Sequence, residues 1–134
     1  MIKVLTNGVF DLFHYGHLYI LKEAKAVGDY LIVGINTDAS IKRLKGNKRP
    51  IIPENYRYEI VSSIKYVDEV YLFDEDTPYE LIKKIKPDYI VKGMDYESED
   101  VVGNDISKVH VVPLIPELST TMIIDKIRHL YNDI

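Results

Sequence analysis

The chain has 134 residues, 46% of them hydrophobic and 28% charged, with a formal net charge of −4 and no cysteine. That length supports one hydrophobic core, so a single domain over residues 1–134 is expected. The charge excludes a global attraction to nucleic acid or to an anionic membrane, and the missing cysteines exclude disulfides, thiolate metal sites and a cysteine nucleophile. No apolar run approaches a membrane span and no signal-peptide pattern leads into the first strand, as expected of a cytoplasmic protein.

Strand-like and helix-like runs alternate along the chain. Ile2–Leu5 is a short β-rich run. Tyr15–Val27 has a helical apolar period and stops at Gly28. Tyr30–Ile35 is almost continuously apolar, as a parallel strand covered on both faces is. Asp38–Leu44 is a short helix, followed by the basic, turn-rich loop Lys45-Gly46-Asn47-Lys48-Arg49-Pro50. A helix is predicted over Pro53–Ile64 and a third strand over Glu69–Phe73. Thr77-Pro78-Tyr79-Glu80 has the pattern of a capping box with proline in the first turn, which starts a helix at Thr77 running to about Ile85. Strands over Tyr89–Lys92 and Val109–Pro113 follow. Ser119-Thr120-Thr121 then caps a last helix whose Met122, Ile123, Ile127 and Leu130 form the side expected to be buried. Five β-runs separated by helices predict a Rossmann-like, doubly wound α/β fold: a five-stranded parallel sheet with helices on both faces. Ligands of such sheets bind beyond the carboxyl ends of the strands, at the switch point.

The stretch His14-Tyr15-Gly16-His17 stands at that place. It opens the first helix, where unpaired N–H groups and the positive end of the helix dipole favour an anion. Gly16 allows close approach of a phosphate to the backbone, and two imidazoles can donate to the same phosphate oxygens. The chemistry indicated is phosphate binding with phosphoryl or nucleotidyl transfer. Two histidines three apart on a helix also suit a metal. A zinc site here would have to recruit carboxylates, because only His110 and His129 remain and cysteine is absent, and no metal site is assigned.

With these residues assembled, the chain resembles the cytidylyltransferase-like nucleotidyltransferase superfamily. Its hallmarks are an HxGH motif after the first strand, here His14–His17, and a Ser/Thr-rich motif opening the last helix, here Ser119–Thr121. Within it, the chain is most similar to the adenylyltransferase domain of the bifunctional heptose kinase/adenylyltransferases. The likeness rests on Thr6–Asp11, Asn36–Ser40, Arg43–Gly46, Arg49-Pro50, Glu75–Pro78 and Val91–Gly93. It departs from that pattern at Met94 and Glu117, where glycine is usual. Leu114 stands about where glycerol-type cytidylyltransferases carry an arginine.

The resemblance implies attack of an acceptor phosphate on the α-phosphorus of a nucleoside triphosphate, ATP rather than CTP, with Mg²⁺ and release of pyrophosphate. The implied acceptor is a small phosphorylated compound, a heptose 1-phosphate first. It also implies a homodimer, with neither nucleic acid nor membrane as partner. His14 and His17 would hold the triphosphate, and Lys45 would bridge donor and acceptor phosphates, ahead of its neighbours Lys42, Lys48 and Arg49. Thr6, Asn7, Gly8, Phe10 and Gly16 lie around the triphosphate. Ser119, Thr120 and Thr121 supply hydroxyls to it, and Lys92, Gly93 and Asp95 lie near the nucleobase. Asp11 is expected to bind Mg²⁺, orient a histidine or take an acceptor hydroxyl. Asp38 and Arg57 are placed with the acceptor, Arg57 touching its phosphate or pairing with Asp38 or Asp68. The rival readings are a CTP-dependent glycerol-3-phosphate or related polyol-phosphate cytidylyltransferase, an archaeal-type FAD synthetase, and a non-catalytic nucleotide-binding module.

Overall fold

A computed structural model describes residues 1–93, 100–115 and 119–132. The elements run β1 (Lys3–Gly8), α1 (Tyr15–Val27), β2 (Tyr30–Asn36), α2 (Asp38–Lys45), α3 (Glu54–Ser62), β3 (Glu69–Phe73), α4 (Tyr79–Ile85), β4 (Tyr89–Gly93), β5 (Lys108–Val112) and α5 (Thr120–Leu130). The five strands form one parallel sheet in the order β3-β2-β1-β4-β5. The chain therefore reverses its direction of winding beside β1, and the switch point falls between β1 and β4.

Alternation along each strand divides the core into two layers. Val4, Leu31, Val33, Ile35 and Val91 face one way and pack with Leu21 and Ala24 of α1 and Val61 of α3. Leu5, Ile32 and Ile90 face the other way and pack with Ile82 of α4 and with Val101. Both faces of the sheet are thus covered by helices, which is why the central strands are continuously apolar.

Three local expectations change. β1 continues three residues past Leu5, through the polar Thr6-Asn7-Gly8, because its neighbour β2 supplies a parallel ladder as far as Ile35. The capping box at Thr77 does not close: α4 begins at Tyr79 with Pro78 at the cap position, the Thr77 hydroxyl accepts from the Tyr79 N–H at 3.4 Å, and Glu80 pairs with Lys83 at 3.6 Å. The last helix forms as expected and is capped by Ser119, but none of its residues is buried. Met122, Ile127 and Leu130 are 46, 44 and 60% exposed, so the apolar stripe of α5 is uncovered among the described residues. No helix among those residues is long and apolar enough to cross a membrane.

Gly103 joins the second core layer to the chain before β5. Its φ is +93°, and a Cβ there would lie 2.7 Å from Ile90 Cδ1 and 2.8 Å from Ile82 Cδ1. Gly103→Ala is therefore expected to lower stability by about 2–4 kcal/mol, from left-handed strain plus overpacking. Urea denaturation checks it, and a loss under about 0.5 kcal/mol, the range of an ordinary surface change, would be the contrary result.

Candidate active site

A cleft of about 610 Å³ opens at the carboxyl ends of the strands. Asn7 and Gly8 from β1, Asn36 from β2 and Lys92 and Gly93 from β4 form its floor. The turn after β1 and the start of α1 line the middle, and Ser119, Thr120 and Thr121 close one side. The turn is built from left-handed residues: Phe10 has φ 54° and Leu12 has φ 50°. Neither is glycine, and each such residue costs on the order of 1–3 kcal/mol unless its surroundings hold it. Phe10 is held by burial. Its ring covers Gly8, where a Cβ would come within 3.1 Å, and it lies 5.2 Å from the ring of His17.

His14 and His17 cap α1 with each other. The Gly16 N–H donates to His14 Nδ1 at 3.1 Å, and the His14 N–H donates to His17 Nδ1 at 3.2 Å. Their rings stack with centroids 3.8 Å apart, and Phe13 lies 5.3 Å from His17. An Nδ1 that accepts must carry a lone pair, so both neutral rings hold their proton on Nε2. Burial lowers the pKa of His14. Burial, and then repulsion from His14, lowers that of His17 to about 3. Both side chains are therefore neutral donors at neutral pH. The His14 Nε2 and the Asn7 Oδ1 are buried in the cleft without a hydrogen-bond partner among the described residues. Gly16 lines the cleft, and its N–H is taken up by the His14 ring.

Four of the expected site residues make bonds within the protein. The Thr6 hydroxyl donates to the Val91 carbonyl at 2.9 Å and ties β1 to β4. The Asp11 carboxylate is 2% exposed and accepts from the Ile51 and Ile52 N–H groups at 2.7 and 2.9 Å. Both of its oxygens thus anchor the loop after α2, and the residue also lines the cleft. Arg57 is 1% exposed and donates to the carbonyls of Ile52, Val9 and Asn36 and to the Asp38 carboxylate, all at 2.8–2.9 Å. It is a structural tie between segments. Of its two candidate partners, Asp38 is the one it meets, at 2.8 Å, which takes Asp38 out of the cleft lining as well.

The three hydroxyls divide their work. Ser119 accepts from the Met122 N–H at 3.1 Å as the cap of α5. Thr120 donates to the Asp11 carbonyl at 2.6 Å. The Thr121 hydroxyl accepts from Arg49 Nη2 at 3.4 Å. Lys45 is the last residue of α2 rather than part of the loop, and it lines the cleft near Leu44, Asp76, Thr77 and Pro78. Arg49 also lines the cleft, which sequence reading ranked behind Lys45, whereas Lys42 and Lys48 do not. The signal for Arg49 was its place beside Pro50, at the loop's return toward the sheet. Lys92 and Gly93 lie at the other end, with Asp100, Val101, Leu114 and Ile115. Asp95 lies outside the described residues. No group of three or more His, Cys, Asp or Glu side chains converges to hold a metal among the described residues.

The sheet and cleft define an α/β nucleotide-binding fold whose catalytic-type residues sit over the first strand. The cytidylyltransferase-like family model matches residues 5–126, and the chain belongs to that family of nucleotidyltransferases. Among curated relatives, the bifunctional protein HldE of a Nitratiruptor species is 52% identical over 126 residues, covering 93% of this chain and 27% of the relative. The bifunctional protein HldE of Helicobacter pylori (strain ATCC 700392 / 26695) is 50% identical over 131 residues, 97% of this chain and 28% of the relative. The chain thus spans about a quarter of the length of these relatives. The crystal structure of the lipopolysaccharide core biosynthesis protein from Thermoplasma volcanium GSS1 superposes with a TM-score of 0.72 at 34% identity, covering 86% of this chain and 97% of that one.

The depressed His17 pKa has a thermodynamic consequence. Between 6.5 and about 3 the unfolded chain binds a proton that folded His17 does not, so stability is full above pH 6.5 and falls as the pH drops through that window. The slope is at most about 1.4 kcal/mol per pH unit. His17→Asn is expected to show a shallower acid loss than the wild type between pH 6.5 and 5, by about 1–2 kcal/mol, in denaturant titrations. Parallel pH profiles would refute the assignment.

Proposed function

We propose that this domain transfers AMP from ATP to a sugar 1-phosphate, a heptose 1-phosphate first, and releases pyrophosphate. One observation carries the reading: two neutral Nε2–H donors converge at the switch point, and that of His14 is buried with no hydrogen-bond partner among the described residues. Such donors, fixed before the reaction, favour charge that develops on phosphate oxygens. In the proposed step an oxygen of the acceptor phosphate attacks the α-phosphorus. The new P–O bond forms as the bond to the bridging oxygen of the β-phosphate breaks, and pyrophosphate leaves with that electron pair. The nucleophile is already an anion, so no protein base is needed. His14 and His17 donate to the non-bridging α-phosphate oxygens, and Lys45 neutralises the charge shared by the two approaching phosphates. Mg²⁺ would enter on the triphosphate, held by phosphate oxygens and water, since the described residues offer no cage of their own.

Adenine is favoured over cytosine by the apolar cleft end around Leu114 and by relatives that are half identical. The sugar phosphate rests on those relatives and on the cleft end near Lys45, Asp76 and Thr77. The proposed setting is cytoplasmic. Pyrophosphate release should be fastest with ATP and heptose 1-phosphate, and slow with CTP and glycerol 3-phosphate. His14→Ala should lower that rate by about a hundred- to a thousand-fold while the fold survives. Preference for CTP and glycerol 3-phosphate would reverse the assignment, and no release with either pair would favour a binding module.

We also propose a homodimer, with the uncovered stripe of α5 seated on a second copy. Its support is that Met122, Ile127 and Leu130 form one apolar face on a helix that no described element buries. Sedimentation should show a dimer for the wild type and a folded monomer for Ile127→Asp. A monomeric wild type at tens of micromolar would end this proposal.

A further inference from the structure

Arg49 and Thr121 are 72 residues apart in the chain and meet at the cleft. Arg49 follows α2, on the side of the sheet where β2 and β3 lie. Thr121 follows β5, on the other side. Their contact at 3.4 Å is long for a hydrogen bond and its acceptor is a neutral hydroxyl, so among the described residues little of the guanidinium's capacity is used. The backbone around both residues is, by contrast, tightly fixed, and by one residue. The Asp11 carboxylate takes the N–H groups of Ile51 and Ile52, and the Asp11 carbonyl takes the Thr120 hydroxyl. Arg57 adds a bond to the Ile52 carbonyl at 2.9 Å. A cationic fork is thus held in the cleft beside the first turn of α5, on backbone that the Asp11 carboxylate and carbonyl fix.

Resting on the nucleotidyltransferase reading of this cleft, we infer that Arg49 clamps the two leaving phosphates of the nucleoside triphosphate, and that Asp11 is the residue that positions it. The arrangement suits those phosphates better than the α-phosphate. The α-phosphate belongs to the imidazoles and must stay open to in-line attack. At the mouth of α5, the Thr121 hydroxyl and unpaired backbone N–H groups supply further donors beside the guanidinium. A guanidinium matches a pair of phosphate oxygens with two parallel N–H bonds, a geometry that lysine does not reproduce. The exposed Lys48, which does not line the cleft, is the natural control.

The test is equilibrium binding of whichever triphosphate the wild type prefers, ATP or CTP, beside its own monophosphate, which lacks the two phosphates in question. Arg49→Ala should weaken triphosphate binding about tenfold or more, equivalent to about 1.4 kcal/mol, and leave monophosphate binding within about twofold. Arg49→Lys should recover only part of the loss. Asp11→Asn replaces one acceptor oxygen by an amino group facing a backbone N–H, and should show the same selective loss if it folds. A general structural role for Asp11 would weaken both nucleotides alike. Lys48→Ala should change neither affinity. Unchanged triphosphate affinity in Arg49→Ala, or an equal loss for the monophosphate, would overturn this inference while leaving the nucleotide reading intact. A wild type that binds no triphosphate would overturn both.

Discussion

The cleft depends on one buried cation. Arg57 sits in α3, yet its guanidinium lies under the turn after β1, the end of β2 and the return of the loop after α2, and it binds a carbonyl from each. Those carbonyls have lost water to the core and need a donor, and a single guanidinium can supply several at fixed angles. The Asp38 carboxylate completes the set and balances the charge. Removing one member of such a buried pair typically costs about 3–5 kcal/mol, because its partner is left stranded. The functional consequence is preorganisation: three backbone segments that would each flex as loops are held as one floor.

Asp11 works in the same way with the opposite charge. A carboxylate next to a polyanion site would repel its ligand if its oxygens faced the cleft. Here both oxygens are turned onto backbone amides, and the charge fixes the loop that carries Arg49. Asp76, which also lines the cleft, is held by Arg43 at 3.0 Å. A chain of net charge −4 can therefore still present donors at the middle of its cleft.

The periodicities that come from the core were legible in the sequence. α1 and β3 fall at the residues expected, because one ends on Gly28 and the other is a short run between polar turns. The position of the histidines at the carboxyl end of β1 was legible too, since they follow the first strand and open the first helix. What failed depended on partners distant in sequence. The apolar stripe of α5 was read correctly as a stripe, but periodicity does not say what covers it. For Arg57 the sequence leaves an acceptor phosphate, Asp38 and Asp68 open as partners, and the structure pairs it with Asp38. Its position four residues before Val61, on the buried face of α3, was the overlooked signal. The Asp11 bonds to residues forty positions away carry no local signature at all.

The histidine pair explains why the site needs cations from elsewhere. Two imidazolium rings stacked at 3.8 Å would repel by about 4 kcal/mol at an effective dielectric of about 20. Protonation at either Nδ1 would also break a cap bond of α1, because each Nδ1 is already an acceptor. The motif is thus built to stay neutral. It contributes direction, two N–H groups fixed before a ligand arrives, and it leaves the countercharge to other parts of the cleft. Lys45 stands at one end, Arg49 lies beside the first turn of α5, and the N-terminus of α1 lies beneath the rings. Geometry and charge are carried by different residues, so a substitution in one set should disturb the chemical step and one in the other the hold on the phosphates.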